Sequence, residues 1–195
     1  MRKLDPKKRS DIIKAARKRF QRKGLTGTTM ASIASDVDIA VGTLYLYFKD
    51  KKSLVLACVD LFIQDHRAEI EKALSEKGRV GKRLEQYIFG RFEAARATRE
   101  GDSAAAELTR YVMKVAPDRR NQESTMMIST VAELLSRGKA SGEFPGVDSI
   151  EEETFVFLHA VAWFFPIATD EFRDPPNKEH LGKIIHWFLK RWMGA

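Results

Sequence analysis

The fold of this chain is decided by residues 28–54, which read TTMASIASDVDIAVGTLYLYFKDKKSL. The pattern predicts two short helices joined by a tight turn, followed by the start of a third helix. The apolar residues that would hold these elements together are Ile33, Ala34, Ile39, Leu44, Tyr45 and Phe48. Helix–turn–helix units of this size insert their second helix into the major groove of DNA. The candidate for that helix is the aromatic segment at 41–48, which is followed at once by Lys49, Lys51 and Lys52.

The same stretch resembles the DNA-binding signature of the TetR/AcrR family of bacterial repressors. Four motifs carry the resemblance: IA at 33–34, GTLY-x-YF at 42–48, K-x-K at 49–51 and SL at 53–54. The resemblance implies an all-α fold of nine helices, with a helix–turn–helix head at residues 1–50 and a dimerising, ligand-sensing body at 51–195. It also implies a homodimeric repressor that a small-molecule effector releases from its operator. The motifs lie only in the N-terminal part of the chain, so the effector is carried over by resemblance alone.

The turn between the two short helices departs from the family pattern. Asp38 stands where the family usually has glycine, and Ala40 stands where it has a capping Ser or Thr. Asp tolerates a left-handed backbone better than most residues, whereas an alanine cap forgoes about 0.5–2 kcal/mol relative to serine. Val41 replaces a residue that is commonly polar or basic. We therefore expect fewer hydrogen bonds to base edges at the entrance of this helix.

The formal net charge of +7 is concentrated at the N-terminus. Residues 1–52 hold 14 Lys or Arg against 5 Asp or Glu, whereas the rest of the chain holds 20 against 22. A basic head on a nearly neutral body is typical of a nucleic-acid-binding module attached to another domain. A solvated basic surface without a partner is the alternative that charge alone leaves open.

The remaining composition predicts a cytoplasmic protein with a packed core. Hydrophobic residues make up 44% of the chain and charged residues 31%, which is typical of a globular domain. The single cysteine, Cys58, excludes an intramolecular disulfide and fits a reducing compartment. The N-terminus lacks the apolar segment of a signal peptide. The longest apolar stretch, 155–168, is shorter than the roughly 20 residues that cross a bilayer, so no membrane partner is expected.

Apolar residues recur at helical spacing almost throughout, and strand signals are nearly absent. Besides the two short helices, the pattern predicts helices over about 6–23, 50–77, 80–98, 103–115 and 121–141. Ser149 and Glu152 form a capping box that begins a further helix, in which Pro166 would produce a kink. Asn177 is placed to cap the last helix.

The resemblance also implies which residues meet double-stranded DNA. Thr43, Tyr45 and Leu46 would lie near bases, and Tyr47, Lys51 and one of two threonines would bind phosphates. The full predicted set comprises Thr28, Thr29, Val41, Gly42, Thr43, Tyr45, Leu46, Tyr47, Lys49 and Lys51. Purely structural roles remain open for some of them: helix capping for the threonines, simple solvation for Lys51 and packing inside the head for Tyr45.

The last two predicted helices are rich in aromatic residues. In the family the two C-terminal helices pack against their copies in a partner chain, forming a four-helix interface. We therefore predict a homodimer whose interface contains Phe155, Leu158, Trp163, Ile184, Trp187, Phe188 and Trp192. A place in the core of a single chain is the alternative for each of these side chains.

The middle helices of the family enclose a pocket for the effector. Residues that combine apolar bulk with polar groups are candidates for its lining, namely Phe62, His66, Tyr87, Phe92, Tyr111, Met126, Met127 and His159. A place in the core is the alternative for each of these side chains.

No phosphate-binding glycine loop, HExxH or Cys-x-x-Cys occurs, so the sequence predicts neither an enzyme nor a metal or cofactor site. Two other functions remain open. One is an adaptor that uses the same head to bind protein, or to bind DNA without sequence preference; weak salt dependence or equal affinity for all duplexes would favour it. The other is an enzyme on a helical scaffold, which would turn over its ligand.

Overall fold

The computed structural model describes residues 4–99, 107, 110–112, 114–165 and 177–194, and all regular structure in these ranges is helical. Eight helices are described: α1 Pro6–Lys23, α2 Met30–Asp36, α3 Val41–Tyr47, α4 Lys51–Ser75, α5 Val80–Arg99, α6 Pro117–Ala140, α7 Ile150–Ala162 and α8 Lys178–Trp192. Residues 107, 110–112 and 114–115 are also helical. They belong to the helix predicted over 103–115, most of which lies outside the described residues. The predicted all-α class is confirmed.

The chain divides into two compact units. The head unit comprises Met1–Asp65 and Ala97–Arg120, and the body unit comprises His66–Arg96 and Asn121–Ala195. This division differs from the predicted boundary at residue 50. One reason is that α4 begins at Lys51 and its N-terminal part, with Leu54, Val55 and Cys58, packs in the core of the head. Another is that Tyr111, which is distant in sequence, packs against the apolar core of the head.

The helices of the head unit form where the apolar spacing predicts them. Asp5 caps α1 by accepting a hydrogen bond from the Lys7 N–H at 2.9 Å, and Pro6 occupies the first helical position, which suits its fixed φ. The buried core draws on all four helices: Ile12, Ile13, Ala16 and Phe20 from α1, Met30, Ile33 and Ala34 from α2, Leu44 and the adjacent Phe48 from α3, and Leu54, Val55, Ala57 and Cys58 from α4.

The turn between α2 and α3 is a Schellman ending built without glycine. The Ile39 N–H donates to the Ala34 carbonyl at 3.0 Å and the Asp38 N–H donates to the Ser35 carbonyl at 3.3 Å, which is the hydrogen-bond pattern of that motif. Asp38 adopts φ 48°, among the described residues the only positive φ outside glycine. Ala40 caps α3 without a side-chain hydrogen bond. Both departures read from the sequence therefore have the predicted structural consequence.

The core of the body unit is centred on the packing of α7 against α8. Phe157, Phe188 and Trp192 are buried with ring centroids 5.2–5.3 Å apart. The Trp192 Nε1–H donates to the Glu153 carboxylate at 2.9 Å. Glu153 also binds Arg191, and this hydrogen bond is the main reason that the pKa of the carboxyl lies below its usual value.

Two helix ends differ from the predicted ones. α6 begins at Pro117, a few residues earlier than predicted, because proline fits the first turn of a helix as well as it terminates one. α7 ends at Ala162, so Trp163 and Phe164 follow the helix as a turn. The kink predicted at Pro166 lies outside the described residues. No helix in the described ranges has the length and apolar character required to cross a membrane.

The two caps of the helix–turn–helix predict opposite effects on stability. Thr29 forms a reciprocal capping box with Ser32 at the start of α2, whereas Ala40 provides no such bond for α3. We expect Ala40→Ser to raise the free energy of unfolding and Thr29→Ala to lower it, each by about 0.5–2 kcal/mol. Urea unfolding of both variants tests this, and destabilisation by Ala40→Ser would contradict the capping analysis.

Candidate nucleic-acid interface

α3 has one buried face and one exposed face. Leu44 is completely buried and Phe48, which follows the helix, is nearly so. On the other side Val41, Tyr45 and Leu46 expose 39%, 49% and 68% of their surface. Leu44 therefore holds the helix on the head while the opposite face meets solvent. For Tyr45, the alternative of packing inside the head is not what the structure shows.

Other residues of α3 and its surroundings also lie at the surface of the head unit. Gly42 is exposed and Thr43 is half-buried. Thr29, Lys49 and Lys52 are exposed as well, although Lys52 was not among the predicted contacts. In the same unit, Asp36 at the end of α2 is paired with Arg19 at 2.5 Å, so the two charges offset each other.

Two predicted phosphate ligands instead serve the fold of the head, and these assignments are corrected. Thr28 is completely buried, and its hydroxyl donates to the Gly24 carbonyl at 2.7 Å. The Lys51 ammonium donates to the Leu25 carbonyl at 2.8 Å and to the Thr28 carbonyl at 2.9 Å. Both groups therefore stabilise the loop between α1 and α2, because its carbonyls have no partners within a helix.

Glu107 binds the same loop from a distant part of the chain. Its carboxylate accepts hydrogen bonds from the N–H groups of Leu25 at 2.9 Å and Thr26 at 3.1 Å, and also from the Thr26 hydroxyl. The bond from that hydroxyl is the main reason that the pKa of Glu107 is lowered. Sequence reasoning missed this contact, since no local pattern marks a pair 81 residues apart.

The hydroxyl of Tyr47 can still donate a hydrogen bond to DNA. Its oxygen accepts a hydrogen bond from the Asp5 N–H at 3.2 Å, which leaves the hydroxyl hydrogen available to donate. A phenol carries one donor and further acceptor capacity, so both bonds can coexist. Next to it, the Arg9 guanidinium lies 5.1 Å from the centroid of the Phe48 ring. The contact fixes the N-terminal part of α1 beside the end of α3.

The residues predicted for a dimer interface divide into two groups. Phe155, Trp163 and Trp187 expose 62%, 52% and 60% of their surface, and Val156, which was not predicted, is exposed to a similar degree. Leu158 and Ile184 are half-buried. Phe188 and Trp192, in contrast, are buried in the core of the body unit. Their interface assignment is wrong, because helical spacing does not reveal which neighbour covers a face.

The residues predicted to line a pocket are not brought together as one site. Tyr111 packs against the head core, and the half-buried Phe62 lies under the Arg17 guanidinium in the head unit. His159 is exposed, and its ring lies 3.9 Å from that of Phe155. Tyr87 and Phe92 are buried in the body core. The predictions for Tyr111 and His159 are corrected on these grounds.

Within the body unit, α4 and α6 border an open groove of about 520 Å³. It is lined by Arg67, Ile70, Glu71, Leu74, Gln122, Met126, Ser129, Thr130 and Glu133. Met126 is the one predicted pocket residue among them, whereas Met127 packs partly buried against the body core. The α4 residues repeat at helical spacing, but that spacing alone does not show that α6 forms the opposite wall.

A buried polar cluster lies in the same unit. The His66 Nε2 and Tyr87 hydroxyl are 2.7 Å apart, and burial lowers the pKa of His66 to about 3 and raises that of Tyr87 to about 12. Arg91 binds the carboxylates of Glu69 and Glu123. His66 Nδ1 is buried, has no hydrogen-bond partner in the described part and lies 4.0 Å from Glu123. The histidine is thus neutral at ordinary pH.

Neither metal binding nor thiol chemistry is indicated in the described ranges. No group of three or more His, Cys, Asp or Glu side chains there is arranged to hold a metal ion. Cys58 is buried and its thiol lies 3.6 Å from the Ile13 carbonyl. Burial raises the pKa of this thiol to about 12, so it stays protonated and unreactive.

Comparison with known proteins points to one family. A family model described as bacterial regulatory proteins of the tetR family matches residues 12–58, which include the whole helix–turn–helix. An uncharacterised helix–turn–helix regulator of Bacillus subtilis, YerO, is 39% identical over 56 residues, a match that spans 29% of this chain and 19% of that regulator. The regulator TtgR of Pseudomonas putida is 25% identical over 145 residues, or 69% of each chain.

Solved structures extend the likeness in fold to nearly the whole chain. A TetR/AcrR-family regulator from Thermobifida fusca superposes with a TM-score of 0.67 at 21% identity, covering 94% of this chain and 97% of the other. A TetR-family regulator from Agrobacterium tumefaciens gives the same TM-score and identity, with 95% and 97% coverage. The head signature and the fold thus agree: residues 12–58 match the model of the tetR family, and nearly the whole chain is similar in fold to regulators of that family.

Proposed function

We propose that this protein is a homodimeric transcriptional repressor that binds an operator through its head and is released by a small-molecule effector. The observation that carries the proposal is the two-faced α3, whose buried Leu44 anchors it while Val41, Tyr45 and Leu46 point to solvent. A helix displayed in this way on a basic head is suited to the DNA major groove.

In the proposed complex, bases and phosphates are met by different residues. The exposed face of α3, from Val41 to Leu46, enters the groove. Thr29, Tyr47, Lys49 and Lys52 bind phosphates around it. Phosphate contacts set register and affinity without specifying sequence. Of these, Lys52 replaces Lys51, whose ammonium is already bonded to two loop carbonyls.

The proposed dimer forms through the exposed apolar side chains of α7 and α8 and the turn that follows α7. Three of the four large exposed side chains there, Phe155, Trp163 and Trp187, are aromatic. Aromatic groups are enriched in protein interfaces, where they contribute much of the binding energy. A second copy of the chain would cover them. Its two heads would then read two half-sites separated by whole turns of DNA, which makes an inverted repeat the expected operator.

The proposed effector site is the groove between α4 and α6. Its volume of about 520 Å³ lies within the range of ligand pockets, roughly 300–1,000 Å³. Ile70, Leu74 and Met126 offer apolar surface, and Arg67 and Glu133 add charged groups. A ligand that prefers one conformation of the dimer shifts the equilibrium between conformations. A coupling of about 1–3 kcal/mol would weaken operator binding roughly 5–150-fold.

The proposal is tested by selecting bound duplexes from a random pool at near-physiological salt. Recovery of an inverted repeat supports a sequence-specific dimer, and compounds can then be screened for release of that duplex. Equal retention of all duplexes, with no motif recovered, would overturn the proposal of a sequence-specific repressor in favour of a non-specific DNA-binding protein.

On the selected duplex, three substitutions distinguish phosphate contacts from structural roles. Tyr47→Phe removes a hydroxyl donor and should weaken binding roughly tenfold to hundredfold, the value of a hydrogen bond to a charged group. Lys52→Ala should weaken all duplexes alike and reduce the salt dependence by about one counterion per head. Lys51→Met removes the ammonium that donates to two loop carbonyls, so it should instead lower the free energy of unfolding by about 1–3 kcal/mol.

Fluorescence anisotropy at several salt concentrations and urea unfolding, measured on each variant, separate the two effects. An unchanged salt dependence in Lys52→Ala would exclude its phosphate role. Full stability in Lys51→Met would show that the loop does not depend on that ammonium.

For the dimer, Trp187→Glu should produce folded monomers, because it places a charge in the proposed apolar interface without disturbing the core. The control is Ile128→Glu, which changes an equally exposed apolar residue on α6 and should leave the dimer intact. Trp192→Glu should unfold the body, since that side chain is completely buried. Sedimentation velocity and circular dichroism report both properties, and a Trp187→Glu variant that remains dimeric would exclude this residue from the interface.

A further inference from the structure

α3 lacks the side chains that most often read bases. Its sequence, VGTLYLY, contains no Arg, Lys, Asn, Gln, Asp, Glu or His. Bidentate recognition of guanine requires a guanidinium or ammonium group, and that of adenine requires an amide. The only side-chain hydrogen-bonding groups on the helix are single hydroxyls, one on Thr43 and two on the tyrosines. Of the tyrosine hydroxyls, that of Tyr47 bonds to the Asp5 N–H.

The exposed face of α3 carries Val41 and Leu46 together with Tyr45, whose side chain is an aromatic ring with one hydroxyl. Val41 and Leu46 are among the few large hydrophobic residues that the described part exposes, and both lie on the same side of this short helix as Gly42. The thymine C5 methyl is the one apolar group on the base edges of the major groove. Apolar side chains in that groove gain most where a methyl group meets them.

Gly42 also supports close apolar contact between α3 and the base edges. A Cβ built on this residue would contact nothing within 4 Å, so packing within the chain does not require glycine there. The residue is helical and does not have a positive φ, so the backbone does not require it either. Glycine inside a helix lowers stability relative to alanine. A physical reason for glycine at this position is that the surface of another molecule approaches the backbone closely there.

We propose that α3 selects its half-site by thymine C5 methyl groups that pack against Val41, Gly42 and Leu46. The inference rests on the proposed function, since it requires α3 to lie in the major groove. The half-site is then rich in thymine under α3, on one strand or the other. The charged residues that follow the helix, Lys49 and Lys52, contribute affinity through phosphates and carry little of the choice of sequence.

The test uses the full-length protein and the operator recovered by duplex selection. Each thymine is replaced in turn by deoxyuridine, which removes the methyl group and keeps the hydrogen-bonding edge. We expect about a fourfold loss of affinity for each methyl that packs on α3, and no loss elsewhere. As a control, each guanine is replaced by 7-deazaguanine, which lacks the N7 acceptor and should bind equally well under α3.

Two variants connect the effect to named residues. In Val41→Ala one thymine should lose most of its sensitivity to deoxyuridine, which identifies the methyl that Val41 covers. Gly42→Ala should raise the urea midpoint of the free protein and weaken operator binding several-fold, because the added methyl occupies the space of the base edge. A purely structural glycine would not give effects of opposite sign.

The outcomes separate this inference from the function on which it rests. An operator that binds equally well with deoxyuridine at every position, or that loses affinity under α3 only with 7-deazaguanine, overturns methyl readout and leaves the repressor proposal intact. A Gly42→Ala variant with unchanged operator affinity overturns the role of that glycine. If selection yields no preferred duplex, the proposed function and this inference fail together.

Discussion

The burial of Leu44 and Phe48 is the constraint on which the head depends. A helix of seven residues is too short to be stable by itself, because helix nucleation is unfavourable and few hydrogen bonds follow it. α3 persists because these two side chains fill the head core, and its preceding turn is closed by a Schellman pattern around Asp38. The same packing fixes the opposite face toward solvent. The fold thus presents a rigid surface of Val41 and Leu46 that the core itself does not use.

The loop between α1 and α2 is also held in place, by side-chain hydrogen bonds. The Lys51 ammonium donates to two of its carbonyls, and the Glu107 carboxylate accepts from two of its N–H groups. The Thr28 hydroxyl donates to the Gly24 carbonyl. Thr28 and Lys51, whose positions in the motif predict phosphate binding, thereby stabilise the fold of the head instead. This arrangement also ties Glu107 to the loop between α1 and α2 within one compact unit. Substitutions at Lys51 and Glu107 should accordingly be judged first by stability and only then by affinity.

Sequence patterns predicted those features that depend on neighbouring residues. The bounds and buried face of α1, the left-handed Asp38, the uncapped Ala40 and the Asn177 cap all follow from local chemistry. Features that depend on tertiary neighbours were not predictable in this way. Helical spacing identified Trp192 as apolar-facing, but it could not show that Phe144, Phe157 and Phe188 of the same chain cover it. The groove of the body unit was missed for the same reason, since its walls come from two helices distant in sequence.

The central claim, that one face of α3 builds the head while the other reads DNA, is tested most directly by comparing Leu44→Ala with Leu46→Ala. The substitution is chemically identical, and the two positions are two residues apart on the same helix. Leu44→Ala should lower the free energy of unfolding by about 2–5 kcal/mol, as expected for a buried leucine. Leu46→Ala should leave unfolding unchanged and weaken binding to the selected operator several-fold. A Leu46→Ala variant that binds the operator as tightly as the parent protein would contradict the account.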